Sequence, residues 1–214
     1  MEFFKTIEKT GIVPILPFFK KEDVSLACKA ARESGVPVVE ILQRGKDSEK
    51  ALEAAAKEFP DVSIGAGSVL DIEQCKRLLD KGASFIVSPG FNEKLVSFCL
   101  EKKVPVIPGT ITPSEIQMAV NLGLTILKFF PFFQMGGTEM ISIISGPFPN
   151  VRFIATGCLE FKHLNEIMSC NKIFASGGVW MFCDEDNPQR KEYNDMVKIL
   201  RDSVELIQKI RKKF

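Results

Sequence analysis

Histidine is almost missing from this chain: His163 is the single one in 214 residues. A mechanism resting on paired histidines, or on a His-rich metal centre, is thereby excluded. An excess of charge of one sign is missing as well, because 28 Lys and Arg stand against 27 Asp and Glu. That balance calls for neither nucleic acid nor an anionic membrane as partner. No apolar run approaches the roughly 20 consecutive residues that a membrane-spanning helix needs. Glu2, Lys5, Glu8 and Lys9 break up the first stretch, so no signal-peptide core is expected there. The six cysteines, Cys28, Cys75, Cys99, Cys158, Cys170 and Cys183, show neither CxxC nor zinc-ligand spacing. Reduced thiols and a cytoplasmic setting are the expectation.

What is present is a repeating alternation. Short β-branched runs recur at Ile12–Leu16, Val36–Leu42, Val62–Val69, Phe85–Val87, Val104–Ile107, Ile126–Phe130, Val151–Ala155 and Ile173–Ala175. Between them lie amphipathic stretches of helical length: Lys21–Glu33, Ser48–Glu58, Asp71–Lys81, Asn92–Lys102 and Pro113–Leu122. Asp71, Asn92 and Thr112 read as N-caps, with Pro113 in a first helical position. Strict alternation predicts parallel strands joined by right-handed crossovers. Eight such units in a chain that is 45% hydrophobic predict a (β/α)8 TIM barrel: one domain over residues 1–214, with a short helix before the first strand. A doubly wound open sheet fits less well, because the first strand lacks a Gly-rich dinucleotide turn. Phe182–Arg190 reads as an exposed loop before a last helix near Lys191–Arg211, whose Lys-rich end suits solvent and the helix dipole.

Lys128 stands inside the apolar run Ile126-Leu127-Lys128-Phe129-Phe130-Pro131. Lysine is seldom fully buried. If it points inward, desolvation lowers its pKa and leaves a neutral amine able to attack a carbonyl. The competing reading puts it on the outer face, its stem along apolar surface and its head in water. In the second strand Val38, Glu40 and Leu42 share a face, as Ile126, Lys128 and Phe130 do in the sixth. With both faces inward, Glu40 can move protons for Lys128, and Arg44 at the mouth offers a planar fork for a substrate carboxylate. A purely structural buried ion pair is the alternative.

The active site of such a barrel lies at the carboxyl ends of the strands. Gly65-Ala66-Gly67-Ser68, Ser88-Pro89-Gly90 and Pro108-Gly109-Thr110 end the third to fifth strands, where backbone and the Ser68 hydroxyl can line a pocket. Phe129, Phe130, Phe132 and Phe133 offer an apolar lining, with core filling expected for at least half of them. Thr156-Gly157-Cys158 and Ser176-Gly177-Gly178-Val179 read as the loops after the last two strands, the usual phosphate site of this architecture. No cationic side chain stands beside them in sequence. His163 is expected at the surface.

Together these residues resemble the 2-keto-3-deoxy-6-phosphogluconate (KDPG) and 4-hydroxy-2-oxoglutarate (KHG) aldolases, class I pyruvate-forming barrels. The likeness runs from Gly11-Ile12-Val13-Pro14 to Gly177-Gly178-Val179-Trp180. It includes Glu40 with Arg44, Gly65-Ala66-Gly67-Ser68-Val69, Ser88-Pro89-Gly90, Pro108-Gly109, Leu127-Lys128-Phe129-Phe130-Pro131 and Gly146-Pro147-Phe148.

The resemblance implies that Lys128 forms a Schiff base with a 2-keto acid, that Glu40 shuttles protons through water, and that Arg44 and Ser68 hold the carboxylate. Pro89 and Phe130 would line the pocket. Thr156, Gly157, Cys158, Gly177, Gly178 and Val179 would form the phosphate or distal end. It implies reversible cleavage to pyruvate and glyceraldehyde 3-phosphate or glyoxylate, a place in carbohydrate metabolism, no cofactor, no metal and a homotrimer. The family pattern usually has threonine at 68, glycine at 158, serine at 179 and often arginine at 17, where this chain has Ser68, Cys158, Val179 and Pro17. These departures predict weaker binding of phosphorylated substrates than of short acceptors. They also leave room for a non-catalytic 2-keto-acid binding protein.

Overall fold

Each β-branched run becomes a strand, and the amphipathic stretches between runs become helices outside it, in a computed structural model that describes residues 2–17, 19–184 and 189–213. The strands are β1 (Ile12–Leu16), β2 (Val38–Leu42), β3 (Ser63–Gly67), β4 (Phe85–Val87), β5 (Val106–Ile107), β6 (Ile126–Phe129), β7 (Arg152–Thr156) and β8 (Ile173–Gly178). The helices are α1 (Glu2–Thr10), α2 (Lys21–Glu33), α3 (Ser48–Glu58), α4 (Ile72–Asp80), α5 (Glu93–Glu101), α6 (Pro113–Asn121), α7 (Gly137–Ile144), α8 (Leu164–Met168) and α9 (Tyr193–Arg211).

All paired strands are parallel, in the spatial order β5-β4-β3-β2-β1-β8-β7-β6. The two ends of that order meet through a bridge between Gly109 and Lys128. There the Lys128 N–H donates to the Pro108 carbonyl at 2.9 Å, and the Thr110 N–H donates to the Lys128 carbonyl at 2.8 Å. The eight strands thus form a nearly closed barrel with alternating helices, and the open doubly wound sheet is set aside.

The expected caps hold: Asp71 accepts from the Gln74 N–H at 2.8 Å and Asn92 from the Leu95 N–H at 3.2 Å. Thr112 and Glu115 satisfy one another's backbone N–H groups reciprocally at the start of α6. Such caps satisfy donors that the first helical turn leaves without intrahelical partners.

Strand parity separates two cores. Outward residues such as Val39, Ile41, Leu127, Phe129 and Phe153 pack under the helices. Inward residues Val13, Val38, Phe85, Val87, Ile107, Ile126, Ile154 and Phe174 fill the barrel. α1 adds Phe3, Phe4 and Ile7 to that inner cluster, with the Phe3 ring 4.6 Å from Phe85 and the Phe4 ring 6.3 Å from Phe174. Because Phe85 and Phe174 stand at the beginnings of β4 and β8, α1 closes the amino-terminal end of the barrel. The Phe85 ring lies 2.2 Å from where a Cβ on Gly65 would sit, so this packing requires glycine there.

Several boundaries differ from the sequence reading. β2 starts at Val38, since Pro37 has no N–H to give a ladder. β8 continues through Ser176, Gly177 and Gly178, which are paired with β1 and not part of a loop. In the stretch read as an exposed loop, Phe182 and Cys183 are buried, and residues 185–188 lie outside the described residues. Among the described residues no helix is long and apolar enough to cross a membrane.

Candidate active site

Lys128 points into the barrel. It is 5% exposed, while its neighbours Leu127 and Phe129 face the helices. The outer-face reading of this lysine is therefore excluded. Its Nζ lies 5.0 Å from the centre of the Phe130 ring, which is half-buried at the carboxyl end of the strand. Glu40 sits in mid-β2 between Ile15 of β1 and Gly65 of β3, and is 3% exposed. A Cβ on Gly67 would come within 2.1 Å of Glu40 Oε1, so the absence of a side chain at 67 makes the space for the carboxylate. Glu40 Oε1 is buried and accepts no hydrogen bond from the described residues.

Burial works on the two groups in opposite senses. It raises the Glu40 pKa above the usual carboxylate range, against the opposing pull of Lys128 and, less, of Arg44. It lowers that of Lys128, which Glu40 opposes and Arg44 reinforces. Each shift is toward the uncharged form, and each partner's charge opposes it. A buried amine and a buried carboxyl group on inward strand faces are suited to serve as nucleophile and proton carrier.

Arg44 emerges at the mouth and donates through Nε to Ser68 Oγ at 2.7 Å. Ser68 has a left-handed backbone, φ 61°, which turns the chain out of β3. A cavity of about 90 Å³ opens over Lys128 and Arg44. Phe130, Thr156, Gly157, Cys158, Gly178 and Val179 line it, as do Leu42, which shares the Glu40 face of its strand, and Ile15 and Leu159, which the sequence reading did not single out. Ile15 and Leu42 were accessible through strand parity, which places Ile15 with Val13 and Leu42 with Glu40 on inward faces. Leu159 carried no such signal.

Not every expected residue meets this cavity. Glu40 and Ser68 are not among the residues that line it. Pro89 stands off, its carbonyl oxygen 2.1 Å from where a Cβ on Gly109 would project. Gly177 is held in the ladder between Val13 of β1 and Thr156 of β7. Of the four phenylalanines read as a lining, Phe129 and Phe132 belong to the outer core, and Phe133 packs its ring 4.7 Å from His163. His163 is half-buried rather than at the surface, because Phe133 covers it and its Nδ1 accepts from the Glu160 N–H at 3.1 Å.

The distal wall is apolar for the most part. Thr156 Oγ1 is 3.4 Å from the Ile154 carbonyl, directed back along its own strand. Cys158 is exposed, with φ 51°, and Val179 is half-buried.

Comparison with known proteins gives a consistent picture. A family model described as KDPG and KHG aldolase matches residues 4–199. A 2-dehydro-3-deoxy-phosphogluconate aldolase of Treponema pallidum is 36% identical over 178 residues, which covers 83% of this chain and 85% of the relative. A KHG/KDPG aldolase of Escherichia coli is 34% identical over 202 residues, 94% of each. The crystal structure of a KDPG aldolase from Legionella pneumophila, with pyruvate captured as a covalent carbinolamine, aligns with a TM-score of 0.86 at 29% identity, covering 93% of this chain and 96% of that one.

Proposed function

This chain belongs to the KDPG and KHG aldolase family, and from that premise we propose that Lys128 is the amine and Glu40 the proton carrier of its reaction. The protein is a class I aldolase, a lyase that reversibly cleaves substrates of the 2-keto-3-deoxy-6-phosphogluconate or 4-hydroxy-2-oxoglutarate type to pyruvate and an aldehyde. The observation that carries the residue assignment is a lysine and a carboxyl group, both buried and each acting on the other's charge, with Glu40 Oε1 accepting no hydrogen bond among the described residues.

The steps follow from a buried amine whose pKa is lowered and a buried carboxyl group whose pKa is raised. Neutral Lys128 attacks the 2-keto carbon to give a carbinolamine. Glu40 donates its proton to the departing hydroxyl, so water leaves and a protonated imine forms beside a carboxylate. The imine draws electrons from C3. Glu40, directly or through water, removes the C4 hydroxyl proton, the C3–C4 bond breaks, and the aldehyde departs from a neutral enamine. Glu40 returns the proton to C3, and hydrolysis releases pyruvate. Arg44 and Ser68 serve as the carboxylate clamp, with the guanidinium Nη groups as donors.

The apolar distal wall formed by Leu159 and Val179 supports a finer reading in which a short acceptor such as glyoxylate is favoured over a phosphorylated aldehyde. Each missing hydrogen bond to a charged group weakens binding by about 1.5 to 3 kcal/mol. Kinship supports a cytoplasmic homotrimer acting in carbohydrate metabolism, with one barrel domain per chain. Exposed Met118 and Ile143 are suitable interface residues, and light scattering would test the assembly.

Borohydride reduction in the presence of pyruvate tests the central assignment. The expected result is a mass increase on Lys128 that is lost, with turnover, in Lys128→Ala. An adduct on another lysine would overturn it. Comparing kcat/KM for 4-hydroxy-2-oxoglutarate and the phosphorylated six-carbon acid tests the finer reading, which fails if the phosphorylated substrate is strongly preferred.

A further inference from the structure

Outside the barrel mouth, α4 and α5 pack side by side and bring Cys75 and Cys99 together. Their sulfurs are 3.8 Å apart, and both residues are fully buried. The aldol reaction uses neither thiol. A purely apolar packing role would be met by any small side chain, and it gives no reason for two sulfurs to meet. Disulfide sulfurs are about 2.05 Å apart. The sulfurs therefore have less than about 2 Å to close between the contact and a bond.

We propose that Cys75 and Cys99 are a site of covalent modification, joined as an intramolecular disulfide between α4 and α5 when the protein meets a peroxide. The thiolate of one of the two attacks one peroxide oxygen, the O–O bond breaks, and a sulfenic acid forms as hydroxide leaves and is protonated to water. The sulfur of the other then attacks the sulfenic sulfur, the S–O bond breaks, and its hydroxide takes up the remaining proton. Two thiols and one hydrogen peroxide become one disulfide and two waters; the sulfurs are oxidised and the peroxide reduced.

Either sulfur can donate to the other across this contact, and the one that accepts has its thiolate favoured. Thiolate is the reactive form. Cys28 provides an internal contrast: it is equally buried, but burial and the nearby Glu58 push its thiol up to about 12. A peroxide molecule is small enough to reach the pair during local opening of the two helices. The link would fasten the outside of the units that begin with β3 and β4, whose carboxyl ends carry Ser68 and Pro89.

The test treats the reduced full-length protein with hydrogen peroxide, alkylates remaining thiols in denaturant, and maps non-reduced peptides by mass spectrometry. The expected product joins the peptides carrying Cys75 and Cys99 with the loss of two hydrogens, and it disappears in Cys75→Ala. Oxidised wild type should also unfold at a higher denaturant concentration than reduced wild type, a shift missing in Cys99→Ala. Recovery of both residues alkylated, or of either as a sulfinic acid without the cross-link, overturns the proposal. The wild-type peptide map decides even if a variant does not fold.

Discussion

The two ends of the barrel interior are built from opposite materials. At the amino end Phe3, Phe4, Ile7, Phe85 and Phe174 form a hydrocarbon plug. Toward the carboxyl end stand Glu40, Lys128 and Arg44. The contrast shows how the fold makes an amine reactive: the plug bars water from below, so Lys128 meets solvent only through the mouth. Desolvation is the largest cause of its lowered pKa, ahead of either charged neighbour.

Perturbing each end should separate the contributions. At the charged end, Glu40→Gln should reduce kcat by roughly 10² to 10⁴, as expected for loss of a general acid–base. The protein should remain folded, and normal turnover in this variant would remove Glu40 from the mechanism. At the plug, Phe85→Ala should cost about 3 to 5 kcal/mol of stability, read from denaturant midpoints. If the variant admits water, the Lys128 pKa rises toward its ordinary value, and the acid limb of pyruvate trapping by borohydride moves to higher pH. An unshifted limb at full hydration would break the comparison.

The smallest effects should come from the charges around the amine, and they have opposite signs. Glu40 favours protonated Lys128, so its replacement by Gln lowers the lysine pKa further and carries the acid limb to lower pH. Arg44 disfavours protonated Lys128, so Arg44→Met should carry the limb to higher pH. Trapping with pyruvate as a function of pH measures both. Shifts in the same direction would show that charge is not what distinguishes the variants.

The charged end was the legible one. Period two in β2 and β6 grouped Glu40 with Leu42 and Lys128 with Phe130 on one face of each strand, and left the choice between inner and outer face to the structure. The plug was not legible. In a parallel barrel both faces of each strand are buried, so Phe85 and Phe174 look no different in sequence from outward residues such as Phe153. For the same reason the four phenylalanines after Lys128 could not be sorted, and two of them went to the outer core. Ser176-Gly177-Gly178 read as loop because glycine weakens strands, yet β1 pairs with all three and β7 with Ser176 and Gly177.

The bridge between Gly109 and Lys128 carries one more implication. The root of the reactive side chain is also the seam of the barrel, stitched to Pro108 and Thr110 on one flank and registered against Ile154 on the other. Folding itself therefore fixes where the amine is anchored, and an arriving keto acid has only the lysine's own rotatable bonds left to bring into line.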